Sequence, residues 1–383
     1  MQELVKEFTL SKEQLLFEAQ QVEKQMEKGI NGETSDFAMM PSYMGLPSGQ
    51  EEGRFLALDF GGSNLRIARM VLEKNQIRQE ALQEKSLNEL LPEKDGKITK
   101  LFSNIAILID DFAGNEGGLL GHTFSYPIIQ TGINDGRLKK WTKELSFTDA
   151  QNTNINNLLT EKLEQVGRKD ILPVAILNDT TAVLLATCYE TGTPDIIGSI
   201  CGTGHNSAYY EPTKKMIINM EAGNFSPCCQ NRFDKLLDKK SNSPNEQLLE
   251  KMVTGNYLAA LTKLVAQEYG INDTNIHTTL DLTIILQEKN NLLYPTVCSI
   301  IKRAANLIAA EYFGIYNYLK KHGIILKRIA LDGSIYNKMP LFNSELLKAL
   351  AGFIAEPPSL VAGHGSSLKG AAVACTFARQ RCF

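Results

Sequence analysis

Apolar positions recur along the chain with two different spacings. Behind Ser11 and Gln14, a Ser-x-x-Gln capping box, Leu15, Ala19, Val22 and Met26 follow at helical intervals and predict an opening amphipathic helix. The glycine- and proline-marked stretch MMPSYMGLPSGQEEG (39–53) reads as a linker into a new domain. FLALDFGGSNLRIARM (55–70) then gives strand, tight turn, strand, and ITKLFSNIAILIDDFA (98–113) gives a helix. GLLGHTFSYPI reads as a buried strand ending at Pro127, and LPVAILNDTTAVLLATCYE as a short strand followed, after Asn178 and Asp179, by a helix of small and apolar residues. DIIGSICGTGHNSAYYE is a second strand, glycine turn and strand. Two long amphipathic helices are predicted over 245–270 and 298–323, a strand into a turn over ILKRIALDGSIY, and a closing helix over SSLKGAAVACTFARQ. Strands alternating with helices predict an α/β protein.

With 383 residues, 43% of them apolar, the chain has material for two domains with separate cores. Forty basic against forty-three acidic residues leave a formal charge of −3, which gives no electrostatic footprint for nucleic acid or an anionic membrane. A small ligand is the expected partner. The first residues, MQELVKEFTLSKEQ, lack the apolar core of a signal peptide, and no window approaches a membrane span. Seven cysteines without a CxxC pair, mostly within apolar stretches, fit the reducing cytoplasm, and the adjacent Cys228 and Cys229 are expected as thiols.

The informative features are two glycine turns, DFGGSN (59–64) and CGTGHN (201–206), each joining an apolar strand to its neighbour. Glycines let backbone approach a ligand, and successive N–H groups form a concave anion site. Each turn alone also fits an ordinary hairpin. Two of them, roughly 140 residues apart, suggest a duplicated domain with a polyphosphate held between the halves. Neither a G-x-x-x-x-G-K-[ST] loop nor a helix-opening G-x-G-x-x-G is present, so hairpins would hold the phosphates.

The sequence resembles the hexokinase family of eukaryotic type, within the actin-like ATPase and sugar kinase superfamily, through motifs that run in order over nearly the whole chain. They are the entry segment and first phosphate turn at 39–70, GHTFSYPIIQTGINDGRLKKWTKEL, AILNDTTAVLLA, IGSICGTGHNSAYYE, INMEAGNF, SPNEQLLEKMVTGNYL, IALDGSIY and GHGSSLKGAAV. The resemblance implies two actin-like, ribonuclease H-like α/β lobes with a ligand cleft between them. The small lobe would span 50–177, rejoined by 370–383, and the large lobe 178–369, with helix and linker 1–49 packing on the latter. It also implies ATP- and Mg2+-dependent transfer of a phosphoryl group to the 6-hydroxyl of a hexose, most simply glucose, as the first step of glycolysis.

Carried over motif by motif, Asp179 is the base that takes the proton of the attacking hydroxyl. Its other reading is a helix N-cap. Lys143 is matched as a catalytic and sugar-binding residue. The sugar shell comprises Ser125, Thr142, Lys143, Asn178, Asp179, Asn206, Glu221, Gln247 and Glu250. The nucleotide side comprises Asp59, Gly61, Gly62, Ser63, Asn64 and Arg66, then Gly202, Thr203 and Gly204, then Gly333, Ser334, Ser366 and Ser367. Asp59, at the lip of the first turn, would hold Mg2+ through water, while Arg66 has a surface salt bridge as its alternative. Trp141 is expected to pack the loop of Thr142 and Lys143, and His205 receives no role because the family carries varied residues there.

Three departures from the family pattern stand out. Ser63 replaces threonine and keeps its hydroxyl, a harmless change; Ala222 replaces tryptophan and Asn245 with Glu246 replaces a Gly-Gln pair, and these two imply a different wall for the sugar pocket. The zinc motif CxCGxxGC of repressor-related sugar kinases is absent. A non-catalytic hexose sensor on the same fold is the alternative; such proteins typically lose the base or the metal-side aspartate, and Asp179 and Asp59 are both present.

Overall fold

The computed structural model describes residues 5–62, 64–90, 96–126, 128–139, 147, 152–271, 275–363 and 365–379. Among the described residues, ten strands and nine helices frame the parts considered below. In chain order they are α1 (Lys12–Ile30), β1 (Gly53–Phe60), β2 (Asn64–Glu73), β3 (Gln76–Ser86), α2 (Ile98–Ala113), β4 (Gly118–Phe124), α3 (Ile155–Gln165), β5 (Ile171–Leu177), α4 (Asp179–Thr191), β6 (Ile196–Cys201), β7 (His205–Glu211), β8 (Met216–Asn219), α5 (Leu248–Val253), α6 (Gly255–Glu268), α7 (Tyr294–Lys321), β9 (Arg328–Asp332), α8 (Phe342–Phe353), β10 (Ser359–Ala362) and α9 (Ser366–Arg379). The chain divides into a sheet unit, Met40–Gly198 with Ala208–Asn219 and Gly363–Phe383, and a helical unit, Met1–Met39 with Ser199–Ser207 and Met220–Ala362.

The sheet unit holds a five-stranded sheet in the order β3-β2-β1-β4-β5. Strands β1 and β2 form the expected antiparallel hairpin, with Asp59 opposite Arg66. Strand β4 runs parallel to β1 with Thr123 opposite Asp59, and β5 runs parallel to β4. Successive strand residues face opposite sides. Leu56, Leu58, Phe60, Leu120 and Phe124 therefore share one face, where they join α2 and α3 in a single apolar core. Asp59, Gly121 and Thr123 fall on the other face, against α9, and the Thr123 hydroxyl donates to the Ser367 carbonyl at 2.8 Å. The stretch 39–53 is more than a linker, because Met40 and Pro41 pair with Asn219 and Ile218 of β8, and Ser42 and Met44 are buried.

In the helical unit α1 begins with the predicted capping box, and Leu15, Ala19, Val22 and Met26 are its buried stripe. It packs on the 28-residue α7, which starts at Tyr294 rather than Cys298, with Pro295 in its first turn. Strands β9 and β10 pair in parallel. The continuous helix expected over 245–270 is instead split into α5 and α6, with Thr254 extended between them (φ −102°, ψ 157°). The reason is a tertiary contact. The Gly255 amide leaves the helical ladder and donates to the Gly202 carbonyl of the second glycine turn at 3.0 Å.

Two glycines set how closely α9 approaches. A methyl group at Gly121 would lie 1.9 Å from the Ala371 carbonyl oxygen, and one at Gly370 2.2 Å from that of Ala182 in α4. Both contacts are with backbone, which cannot rotate away. We expect Gly121→Ala to destabilise the protein by about 1–3 kcal/mol in chemical denaturation. Gly352→Ala, at a helical site with nothing within 4 Å, serves as control and is expected to be neutral or slightly stabilising.

Candidate active site

In the sheet unit the predicted residues gather at the ends of β1, β4 and β5. Asp59 is buried and accepts from its cross-strand neighbour Arg66, whose Nε lies 3.0 Å from Oδ2 and whose Nη2 bonds the same oxygen. The Arg66 salt bridge is thus made to Asp59 itself. Beyond it the turn closes with the Gly61 N–H donating to the Asn64 carbonyl at 3.0 Å, and Gly62 follows within it. The Asn64 amide is held by Glu84 at 2.6 Å. Tyr126 directs its hydroxyl at the Gly61 carbonyl (3.5 Å), and burial pushes its phenol pKa up, so it stays a neutral donor. Ser63 lies outside the described residues, as do Trp141, Thr142, Lys143 and Pro127.

Ser125 links the two carboxylates. Its N–H donates to the carbonyl of Phe60, next to Asp59, at 3.1 Å, and its hydroxyl donates to Asp179 Oδ2 at 3.3 Å. The cap of α4 is Asn178, whose Oδ1 accepts from the Thr180 N–H at 2.8 Å, and Asp179 is the first residue of the helix. Thr180, which sequence reasoning passed over, is fully buried and bonds Asn178, Asp179 and Asn219 of β8. Its hydroxyl directly after the Asn-Asp pair is the signal that was there to be read. Ser366 and Ser367 open α9, and the Ser366 hydroxyl donates to the Gly363 carbonyl.

In the helical unit a second group forms around the second turn. Gly202 is closed by Gly204 (2.9 Å), and Thr203 is exposed at the tip. Gly333 and Ser334 lie against this turn: a methyl at Gly333 (φ +115°) would sit 2.3 Å from the Cys201 carbonyl oxygen, and one at Gly202 would sit 3.1 Å from the Ser334 nitrogen. Asn206 Oδ1 accepts the Ala222 N–H at 3.1 Å, and Glu250 Oε2 accepts the His205 N–H at 3.0 Å. The loop of Glu221 is joined to that of Gln247 by the Leu249 amide, which donates to the Phe225 carbonyl at 2.9 Å.

Glu221 (φ +56°), Asn245 (φ +66°) and Gln247 (φ +53°) are all left-handed. Such backbone costs about 1 kcal/mol or more outside glycine and gathers at functional sites. Asn245 stands where the family has glycine, and asparagine is one of the few residues that tolerates this region. The Ala222 departure is buried completely.

No cluster of three or more His, Cys, Asp or Glu among the described residues is arranged to hold a metal. A single buried carboxylate, Asp59, nevertheless suits Mg2+, which binds through one or two carboxylates together with substrate phosphates and water. The six described cysteines, Cys228 and Cys229 included, are free thiols, and no described helix is long and apolar enough to cross a membrane.

Two sequence models, both described as Hexokinase, match residues 1–189 and residues 196–292 with 270–377. The chain belongs to the hexokinase family. It is 31% identical over 413 residues to Hexokinase-7 of Oryza sativa subsp. japonica, covering 89% of this chain and 88% of that protein. With Hexokinase-1 of Rattus norvegicus it shares 29% identity over 404 residues, 90% of this chain but only 44% of the rat protein's length. The hexokinase from Schistosoma mansoni complexed with glucose, a solved structure, is 27% identical with a TM-score of 0.80, covering 98% of this chain and 97% of that one. The α/β hexokinase fold expected from the sequence is therefore the fold observed.

The capping role of Asn178 can be tested by itself. Asn178→Asp retains the cap, while Asn178→Ala is expected to lower stability by about 1 kcal/mol through loss of the capping bond. Denaturant midpoints of the two variants check this.

Proposed function

We propose that the protein is an ATP-dependent hexokinase that phosphorylates the 6-hydroxyl of glucose and related hexoses. The reading rests on one observation above all: the family match extends through both halves of the chain, and its Asn-Asp pair stands at the start of α4 with Ser125 bonded to Asp179. In this reading Ser125 and Asn178 orient the sugar beside Asp179, and Asp179 receives the proton of the attacking hydroxyl. Thr142 and Lys143 complete the sugar contacts by family match, with Lys143 also serving the phosphoryl transfer. Asn206, Glu221, Gln247 and Glu250 engage the remaining hydroxyls.

The two glycine turns, with Gly333, Ser334, Ser366 and Ser367, are proposed to receive ATP. Mg2+, when bound with the nucleotide, supplies charge neutralisation at the transferring phosphate. Asp59 would hold it through water, and Arg66 fixes the direction in which Asp59 points. Glycolysis in the cytoplasm is the setting this activity suggests.

An ADP-release assay with glucose, fructose and mannose tests the reading directly. ADP release dependent on hexose supports it; saturable hexose binding without ADP release identifies a sensor instead. Asp179→Ala should lower kcat by about 10²–10⁴-fold, the scale of a lost positioned base, with ATP binding nearly unchanged. A variant retaining more than about a tenth of wild-type kcat removes Asp179 from that role. Asp59→Asn, which keeps shape and removes charge, should abolish most turnover while hexose binding without nucleotide stays near normal. Equal loss of hexose binding in a titration would make Asp59 a residue of the fold.

A further inference from the structure

A charged pair is buried directly behind the second glycine turn. His205 opens β7 and Glu311 lies in the middle of α7, and their side chains are 0% and 1% exposed. His205 Nε2 bonds Glu311 Oε2, while Nδ1 lies 3.1 Å from the Ile200 carbonyl oxygen. Both ring nitrogens thus face acceptors, and only an imidazolium has two N–H groups to offer them. Burial is the largest single influence and opposes that cation, but Glu311 and the neighbouring Cys201 together hold the His205 pKa well above its ordinary value. The second Glu311 oxygen accepts the Ser207 hydroxyl at 2.6 Å.

Stability alone is a weak reason for such a pair, because apolar residues of similar volume often serve a core as well or better. What the pair supplies is geometry. Alternate residues of a strand face opposite ways, so His205 and Ser207 point together toward α7 and Asn206 points away. Glu311 therefore holds the side chains of the residues on both sides of Asn206 and, through them, the short backbone stretch between. From this same stretch, Asn206 Oδ1 meets the Ala222 N–H, and the His205 N–H meets Glu250 Oε2. Two residues of the hexose set take their position from three residues of backbone, and one buried carboxylate holds that backbone.

We infer that Glu311 is a positioning residue for hexose recognition: through His205 and Ser207 it fixes the 205–207 backbone that sets Asn206 and Glu250. The inference rests on the proposed role of Asn206 and Glu250 as hexose contacts. Steady-state kinetics of the full chain with glucose and ATP test it, using Glu311→Gln, Ser207→Ala and, for reference, Glu250→Gln. Glu311→Gln keeps size and removes the charge, so the KM for glucose should rise about tenfold, the scale of one lost charge-assisted hydrogen bond. In that variant kcat should change less than about threefold and the KM for ATP should stay unchanged. Ser207→Ala cuts one arm only and should raise the glucose KM by about threefold, the scale of a weaker hydrogen bond.

A purely structural pair would reduce the amount of folded enzyme, and so apparent kcat, with the glucose KM unmoved. If Glu250→Gln raises the glucose KM while Glu311→Gln and Ser207→Ala leave it at the wild-type value, this inference is wrong and the site reading stands. If Glu250→Gln itself leaves the glucose KM unchanged, the site reading has failed. Should Glu311→Gln not fold, Ser207→Ala decides alone, and an unmoved glucose KM overturns the inference.

Discussion

Close approach of backbone to backbone is the constraint on which the sheet unit depends. Where β4 meets α9 and α9 meets α4, there is no room for a single methyl group at Gly121 or Gly370. That intimacy brings the start of α9 against Thr123, and Thr123 is the neighbour of Asp59 across the β1–β4 register. The same helix packs beside α4, whose first residue is Asp179. Two carboxylates and two serines from distant parts of the sequence are thus located by the absence of side chains elsewhere. The helical unit repeats the device at Gly333, which could not lie beneath Cys201 with a side chain of any size.

The polar atoms of the candidate site are held by neighbouring protein groups. Asp59 is already directed by Arg66, Asp179 already takes the Ser125 hydroxyl, and Glu250 already receives a backbone N–H. Groups fixed in this way need little rearrangement when charge develops beside them, which is how preorganised sites act. Glu221, Asn245 and Gln247 make the same point in backbone terms, since each occupies a conformation that the free chain avoids.

Much of this was legible in the amino-acid sequence. Strands with apolar cores around glycine turns, the capping box of α1 and the full span of α2 follow from periodicity alone, because burial on one face leaves a regular trace. Strand β3 leaves none. Lying at the sheet edge, its residues are mostly exposed or half-buried, and QIRQEALQEKS reads as a polar connection. The split between α5 and α6 was equally hidden, since a Thr-Gly pair within an apolar-periodic run is tolerated by many helices. The break comes from a carbonyl acceptor more than fifty residues earlier, at Gly202. Glu311 did leave a mark, a lone carboxylate in the apolar run AAEYF, but its partner His205 lies on another element. The shell residues Thr142 and Lys143 rest on their motif, outside the described residues.

The sheet unit also has an unusual order of assembly. The bond between Thr123 and Ser367 spans 244 positions, and β1, β4 and β5 are complete long before α9 exists in the growing chain. Until α9 docks, one face of this mixed sheet lacks the cover that α9 provides. Contacts of such separation close slowly, since a long loop must be ordered before they reward it. Folding of this unit is therefore gated by a late, distant helix, and the interval before it docks is when the nascent protein is most open to aggregation and to chaperones.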